Sequence, residues 1–224
     1  MPQRRKRPGS DWRVMIVDDH PMVRKGLRDL LAEEPGFTPC GEVGDPEEAL
    51  AMLEAELPDI VLVDLSLENG SGLELVKRVH ARFAEVQILV FSMHEESIYA
   101  ERALRAGASG YVEKHSPTAE LIGALRRVGE GKIHVSEEMT ERLLQQRLAT
   151  GDEAGSSAAE RLSDRELQVF ELLGRGRTTK EIGDDLNISV KTVERHCENI
   201  KEKLLLENRT QLLQHAVHWL VQQG

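Results

Sequence analysis

DIVLVDLS, running from Asp59 to Ser66, is the stretch whose reading decides the fold. A short apolar run ends abruptly on an acid, Asp64, as a buried strand does when it reaches the edge of a sheet. Outward in both directions the pattern repeats. RVMIV (Arg13–Val17) runs into Asp18 and Asp19, QILVF (Gln87–Phe91) into Ser92, and GYVE (Gly110–Glu113) into Lys114. If these runs are parallel strands, every one of those groups leaves the same edge of one sheet, where open α/β sheets bind ligands. Three carboxylates gathered there repel, raise one another's pKa and call for a cation. A set of oxygens without His or Cys suits a hard ion, Mg²⁺ above all. A lysine and a hydroxyl beside a metal-bound carboxylate make a place for a phosphoryl group, with the carboxylate as acceptor.

The segments between the runs read as helices: His20–Glu33, Pro46–Glu56, Leu73–Arg82, Ser97–Ala106 and Thr118–Gly129. With Thr38–Val43 as a fifth strand, strand and helix alternate with short connections. That order predicts a parallel sheet with right-handed crossovers, covered on both faces. Asp45-Pro46 reads as an N-cap followed by proline in the first helical position, and Ser116-Pro117 gives the same signal.

At 224 residues the chain has room for two small domains. Cys40 and Cys197 stand far apart with no CxxC or CxxH spacing, so neither zinc nor a disulfide framework is indicated, and a reducing cytoplasm is the simplest setting. No apolar stretch reaches the roughly 18–20 residues of a membrane span, so no membrane partner is expected. RRKR (Arg4–Arg7) lacks an apolar segment behind it and reads as a tail, not a secretory signal. The net charge of −10 is unevenly spread: Trp12–Val135 holds 13 basic and 22 acidic residues, Arg161–Gly224 holds 10 of each. The C-terminal part is thus free to carry a local basic face.

After Gly131 the alternation stops. Glu137–Leu148 reads as one helix, and Ala149–Glu160 (ATGDEAGSSAAE) as a flexible connection too poor in apolar residues to order itself. From Leu162 every signal is helical. Ser163 with Glu166 forms a capping box opening Asp164–Leu173, and Gly174 or Gly176 stops that helix. Thr179–Leu186 is a short helix, Asn187-Ile188 a turn, and Ser189 an N-cap for Val190–Leu204. Thr210–Val221 closes the chain with Leu212, Leu213, Ala216, Val217 and Leu220 at helical spacing. Short helix, tight turn and longer helix make a helix-turn-helix.

The order Asp18-Asp19, Asp64, Ser92, Lys114, with Tyr111 three residues before the lysine, resembles the receiver domain of two-component response regulators. The resemblance implies an α/β doubly wound five-stranded parallel sheet, the flavodoxin-like receiver, over residues 12–131. By it Asp64 is the phosphoacceptor for a sensor histidine kinase. Asp18, Asp19 and Asp64, with the Ser66 carbonyl, would hold Mg²⁺. Ser92 and Lys114 would bind the phosphoryl oxygens, and Tyr111 would rotate inward as Ser92 moves. Plainer readings stand beside these: Asp18 as a helix cap, Ser92 as a strand-edge hydroxyl, Lys114 as a surface lysine, Tyr111 as a core aromatic with its hydroxyl at the surface. Departures from the family pattern are Leu67 and Glu68 in place of Met-Pro, Met93 in place of a small residue, and His115 in place of proline.

LSDRELQVFELLGRGRTTKEIGDDLNISVKTVERHCENIKEKL (Leu162–Leu204) resembles the LuxR-type helix-turn-helix of the NarL/FixJ group, a small all-α four-helix domain over residues 161–224, joined to the receiver by residues 132–160. Ile182, Leu186, Ile188, Val193 and Ile200 would clamp its helices together. The face of Val190–Leu204 that enters double-stranded DNA would offer Lys191, Glu194, Arg195 and Glu198, with Arg195 the best base reader. Glu194 accepts from cytosine or merely pairs with Lys191 or Arg195. Lys180, Ser189, Thr192, Lys201 and Lys203 belong to the same interface, the lysines as phosphate contacts. Leu205 stands where the family carries glycine, so the recognition helix either runs on or ends under strain. The last helix would serve as a homodimer contact, with Trp219 or His215 in it.

A DNA binder with a decayed receiver is the alternative reading, which the intact acidic set opposes. A haloacid-dehalogenase-like phosphatase is another, which needs its nucleophile in a DxD motif on an early strand and leaves the helix-turn-helix unexplained.

Overall fold

The computed structural model describes residues 11–68, 70–149 and 161–223. The chain divides into two compact units, Met1–Leu144 and Gln145–Gly224.

The first unit alternates as its apolar runs require: β1 (Trp12–Val17), α1 (Pro21–Glu33), β2 (Phe37–Val43), α2 (Pro46–Glu56), β3 (Ile60–Val63), a short antiparallel pair β4 (Ser66–Leu67) and β5 (Gly70–Ser71), α3 (Gly72–Arg82), β6 (Gln87–Ser92), α4 (Glu96–Ala106), β7 (Gly110–Glu113), α5 (Thr118–Gly129) and the start of α6 (Glu137–Ala149). The five long strands pair in parallel in the order β2-β1-β3-β6-β7. Successive strand residues point to opposite faces. Val14, Ile16, Ile60, Leu62, Leu89 and Val112 therefore meet Leu27 and Leu31 of α1 and Leu121, Leu125 and Val128 of α5. On the other face α2, α3 and α4, neighbours in that order, bury Leu50, Leu53, Val76, Val79 and Tyr99. Each such fully buried side chain contributes about 1.5–3 kcal/mol.

Asp45 caps α2 as expected, its carboxylate accepting from the Glu47 and Glu48 amides at 2.8 and 3.2 Å. The parallel expectation at Ser116-Pro117 is corrected. Pro117 is itself the N-cap, with ψ 142: its carbonyl accepts the first helical bonds, from Glu120 and Leu121, so α5 starts at Thr118 and Ser116 stays in a turn bonded to Glu113.

The segment after α5 is built onto the first unit. His134 forms a parallel bridge with Gly110, its carbonyl accepting from the Tyr111 amide at 2.9 Å and its amide donating to Ser109 at 3.0 Å. The Ser136 amide then donates to the Glu96 carboxylate at 2.9 Å, Arg142 donates to the Ser97 carbonyl at 3.1 Å, and Met139 is buried. The proposed flexible connection falls almost wholly on residues 150–160, which lie outside the described residues.

The second unit consists of α7 (Asp164–Gly174), α8 (Thr179–Asp185), α9 (Val190–Leu204) and α10 (Arg209–Gln223). Ser163 and Glu166 form the expected capping box. A second box, Thr178 with Glu181, opens α8. Ser189 caps α9 by accepting from the Thr192 amide. α7 runs through Gly174, and the chain turns at Gly176, φ +79. Ile182, Leu186, Val193 and Ile200 are buried with Leu167, Phe170, Leu212 and Ala216, while Ile188 is only half-buried. Trp219 also belongs to this core, its ring 5.5 Å from that of Phe170. It is buried inside the unit and not available at its surface, whereas His215 is exposed. α9 ends at Leu204, and Leu205 takes a left-handed conformation, φ 57, with 83% of its surface exposed.

Candidate functional site

The ends of β1, β3, β6 and β7 converge as the sequence order implies. Asp18 and Asp64 are buried, and Lys114 reaches between them, its Nζ 2.6 Å from Asp18 Oδ2 and 2.7 Å from Asp64 Oδ2. Two carboxylates and one ammonium leave a net negative charge away from water. Burial pushes the Asp64 carboxyl up, Lys114 pulls it down, and Asp18 pushes it up again, for a net rise. Burial works against the charge on Lys114, but Asp64 and Asp18 outweigh it and hold its pKa above the usual lysine value. Both shifts are upward: burial and Asp18 outweigh Lys114 at Asp64, and the two carboxylates outweigh burial at Lys114.

The acceptor's own loop is tightly fitted. Asp64 Oδ1 accepts from the Ser66 amide at 3.2 Å. Gly72 begins α3 directly against it: a Cβ there would lie 2.0 Å from the Asp64 carbonyl oxygen and 2.6 Å from Leu65 Cα. Only glycine admits this approach.

Asp18, Asp19, His20 and Asp64 place one ligand atom each within 4.8 Å of one another. His20 Nδ1 is 2.5 Å from Asp19 Oδ1, yet that buried oxygen meets no donor at a hydrogen-bonding angle. A buried carboxylate oxygen without a hydrogen bond, beside two more carboxylates, fits a hard cation. Asp18 also accepts from the His20 amide at 2.8 Å, so the plainer capping geometry and the metal-ready geometry coexist in one residue.

Ser92 is fully buried, and its Oγ accepts from the His94 amide at 3.4 Å. Tyr111 is buried too, and its hydroxyl donates to the His94 carbonyl at 2.9 Å, not out into water. His94 thus joins three parts: its ring nitrogen lies 2.9 Å from Ser66 Oγ and its ring 4.5 Å from that of Tyr99. Met93 and His115 are exposed at the rim, the latter 2.8 Å from Glu113. Glu68 is exposed. The sequence reading missed His94's bridging position and the hydrogen bond from Arg24 to the Asp18 carbonyl, 2.6 Å long. Neither has a local signature, since each depends on how separate loops are packed.

In the second unit Lys180, Ser189, Lys191, Glu194, Arg195 and Glu198 are exposed and Thr192 is half-buried. Lys191, Glu194, Arg195, Glu198 and Lys201 share a shallow depression with Arg209. Lys201 pairs with Glu198 at 2.8 Å, and Lys203 is turned to Glu166 at 2.5 Å. Among the described residues Glu194 and Arg195 make no ion pair.

Comparison with known proteins fits both halves. Residues 14–126 match the response regulator receiver domain, and residues 160–216 the bacterial regulatory proteins of the luxR family. The transcriptional activator protein ExaE of Pseudomonas putida is 35% identical over 204 residues, covering 91% of this chain and 95% of the relative. The transcriptional regulatory protein DegU of Brevibacillus brevis is 32% identical over 217 residues, covering 91% and 92%. Among solved structures, RcsB from Salmonella enterica serovar Typhimurium, bound to promoter rprA in the presence of the phosphomimetic BeF3⁻, is 27% identical with a TM-score of 0.60, covering 93% of this chain and 99% of that one. No described helix is long and apolar enough to cross a membrane. The chain belongs to the response regulators of the NarL/FixJ group, transcriptional regulators in which a receiver domain is joined to a LuxR-type helix-turn-helix.

Proposed function

We propose that Asp64 accepts a phosphoryl group from the phosphohistidine of a sensor histidine kinase, and that this drives homodimerisation and sequence-specific binding to double-stranded DNA. The observation that carries the reading is the buried Asp64 carboxylate, with Lys114 at 2.7 Å and Asp18 sharing that lysine. An Asp64 oxygen forms the new bond to phosphorus as the donor's P–N bond breaks, and the imidazole leaves with the electron pair and takes up a proton. Lys114 then pairs with one phosphoryl oxygen and Ser92 donates to another. Asp18, Asp19 and Asp64, with the Ser66 carbonyl, would hold Mg²⁺, which when bound neutralises charge developing on the transferring group. Tyr111 reads the change because its hydroxyl is tied to His94, two residues beyond Ser92. The chain catalyses nothing beyond its own phosphorylation and dephosphorylation, and the cytoplasm suits its two free cysteines and its DNA target.

On this reading residues 12–131 are the phosphoacceptor domain, 132–160 the connection and 161–224 the DNA-binding domain. Lys180, Ser189, Lys191 and Thr192 face the DNA backbone, Lys201 and Lys203 join them by giving up their pairs with Glu198 and Glu166, and Glu194, Arg195 and Glu198 face the bases. The promoter complexes of RcsB with BeF3⁻ support the coupling of phosphoryl to DNA.

Labelling with phosphoramidate and Mg²⁺ tests the assignment. Asp64→Ala should abolish the label and weaken DNA binding, whereas undiminished labelling of that variant would remove Asp64 from its role.

A further inference from the structure

Asp18 is held at every polar atom but one by an obvious partner. Its amide donates to the Val43 carbonyl at 3.1 Å, its Oδ1 accepts from the His20 amide, and its Oδ2 meets Lys114. Its carbonyl is the exception. β1 ends at Val17, and the first helical bonds of α1 run to the His20 carbonyl, from Val23 and Arg24. The Asp18 carbonyl therefore belongs to neither ladder nor helix. Arg24, one turn into α1, bends back to it and donates from Nη1 at 2.6 Å.

Gly44 in the β2–α2 turn lies beside this contact. A Cβ there would stand 3.1 Å from Arg24 Nη1 and 3.5 Å from both the Asp18 carbonyl oxygen and Asp19 Cα. Among the described residues no carboxylate lies within ion-pair distance of Arg24, so its fork serves the turn and not a surface pair.

We propose that Arg24 is a positioning residue for the cation site: by holding the Asp18 carbonyl against Gly44 it fixes the turn from which Asp18 and Asp19 present their carboxylates. The inference rests on the metal-binding role given to those two residues above. Two effects of the guanidinium oppose each other, and their signs can be told apart. As a nearby positive charge it would repel a divalent cation, so its removal would tighten binding. As a clamp on the turn it preorganises the ligands, so its removal loosens binding, typically tenfold or more for a partner behind the ligands. The short bond to the Asp18 carbonyl, made where neither strand nor helix supplies a donor, favours the clamp.

The test titrates Mn²⁺ into the full chain and follows the free ion by electron paramagnetic resonance. Arg24→Ala should raise the dissociation constant about tenfold. Arg24→Lys, which keeps one donor and the charge, should fall between it and the wild type. Labelling by phosphoramidate should recover at saturating Mg²⁺, since the defect lies in metal affinity and not in Asp64. Arg24→Met keeps an aliphatic stem of similar length and carries the test if Arg24→Ala does not fold. Wild-type or tighter Mn²⁺ binding in Arg24→Met overturns the proposal alone. Failure of the wild type to bind Mn²⁺ overturns it together with the metal site.

Discussion

Leu205 shows what one residue can cost. A non-glycine side chain in the left-handed region is strained by roughly 1–2 kcal/mol, and this one returns nothing, being 83% exposed. Leu205→Gly removes the strain but frees the unfolded chain, so a net gain of about 0.5–1 kcal/mol is expected, visible as a rise of a few degrees in the melting of the second unit. The sequence left two outcomes open here, a longer helix or a strained end, and the strained end is observed. Glu166 is the opposite case, a residue used twice. It closes the capping box on Ser163 and pairs with Lys203. Burial alone would push its carboxyl up, but the bonds from Lys203 and Ser163 carry it below the usual range. A depressed folded pKa means stabilisation that is full above the unfolded value, near 4.3, and lost as pH falls through the folded one. Glu166→Gln should lower stability at pH 7 by about 1 kcal/mol and flatten the acid limb of a melting-temperature profile. A profile unchanged from the wild type would mean the pair with Lys203 contributes nothing.

Strands and helices were legible because their signals are local. The apolar runs place β1, β3, β6 and β7 within a residue or so, and Ser163, Asp45 and Ser189 mark helix starts where the structure puts them. The β4–β5 pair was not legible, since two residues per strand carry no periodicity. Nor were the contacts of Arg24 and His94, which join segments by packing. On α9 the spacing named a set of exposed residues but not their pairing. Lys201 and Lys203 are already engaged with Glu198 and Glu166, whereas Arg195 is exposed and makes no ion pair among the described residues. A guanidinium kept free on α9 suits bidentate recognition of guanine, worth about 1–3 kcal/mol of discrimination. Arg195→Ala should therefore relax preference at one base pair of a selected site, measured by competition between single-base variants. A uniform loss, with the salt slope reduced by about 1, would make it a phosphate contact.

At the scale of the whole molecule, most of the acidic excess and the metal-ready cluster lie in the first unit, while residues 161–224 are neutral and gather Lys191, Arg195, Lys201 and Arg209 with two glutamates around one depression. The two chemistries are thereby kept on separate bodies, and α6 begins on the first of them. Its approach runs along residues that border the proposed switch: the amide of Tyr111 is bonded to His134, and Glu96 at the start of α4 accepts from Ser136 while its own amide is held by Glu113 at 2.6 Å.

That run of chain also protects the protein from itself. β7 is one of the sheet's two edge strands, and its backbone left bare would be an open template for a strand from another copy. His134 occupies that position with two hydrogen bonds, and Met139, five residues on, is buried. A chain ending at Gly131 should associate in a concentration-dependent way and bind amyloid or hydrophobic dyes, while one ending at Leu144 should elute as a monomer. Equal behaviour of the two in size-exclusion chromatography would show that the sheet tolerates its bare margin. Should the Gly131 chain associate as expected, the segment that reads as a mere connection is the guard of the sheet's margin.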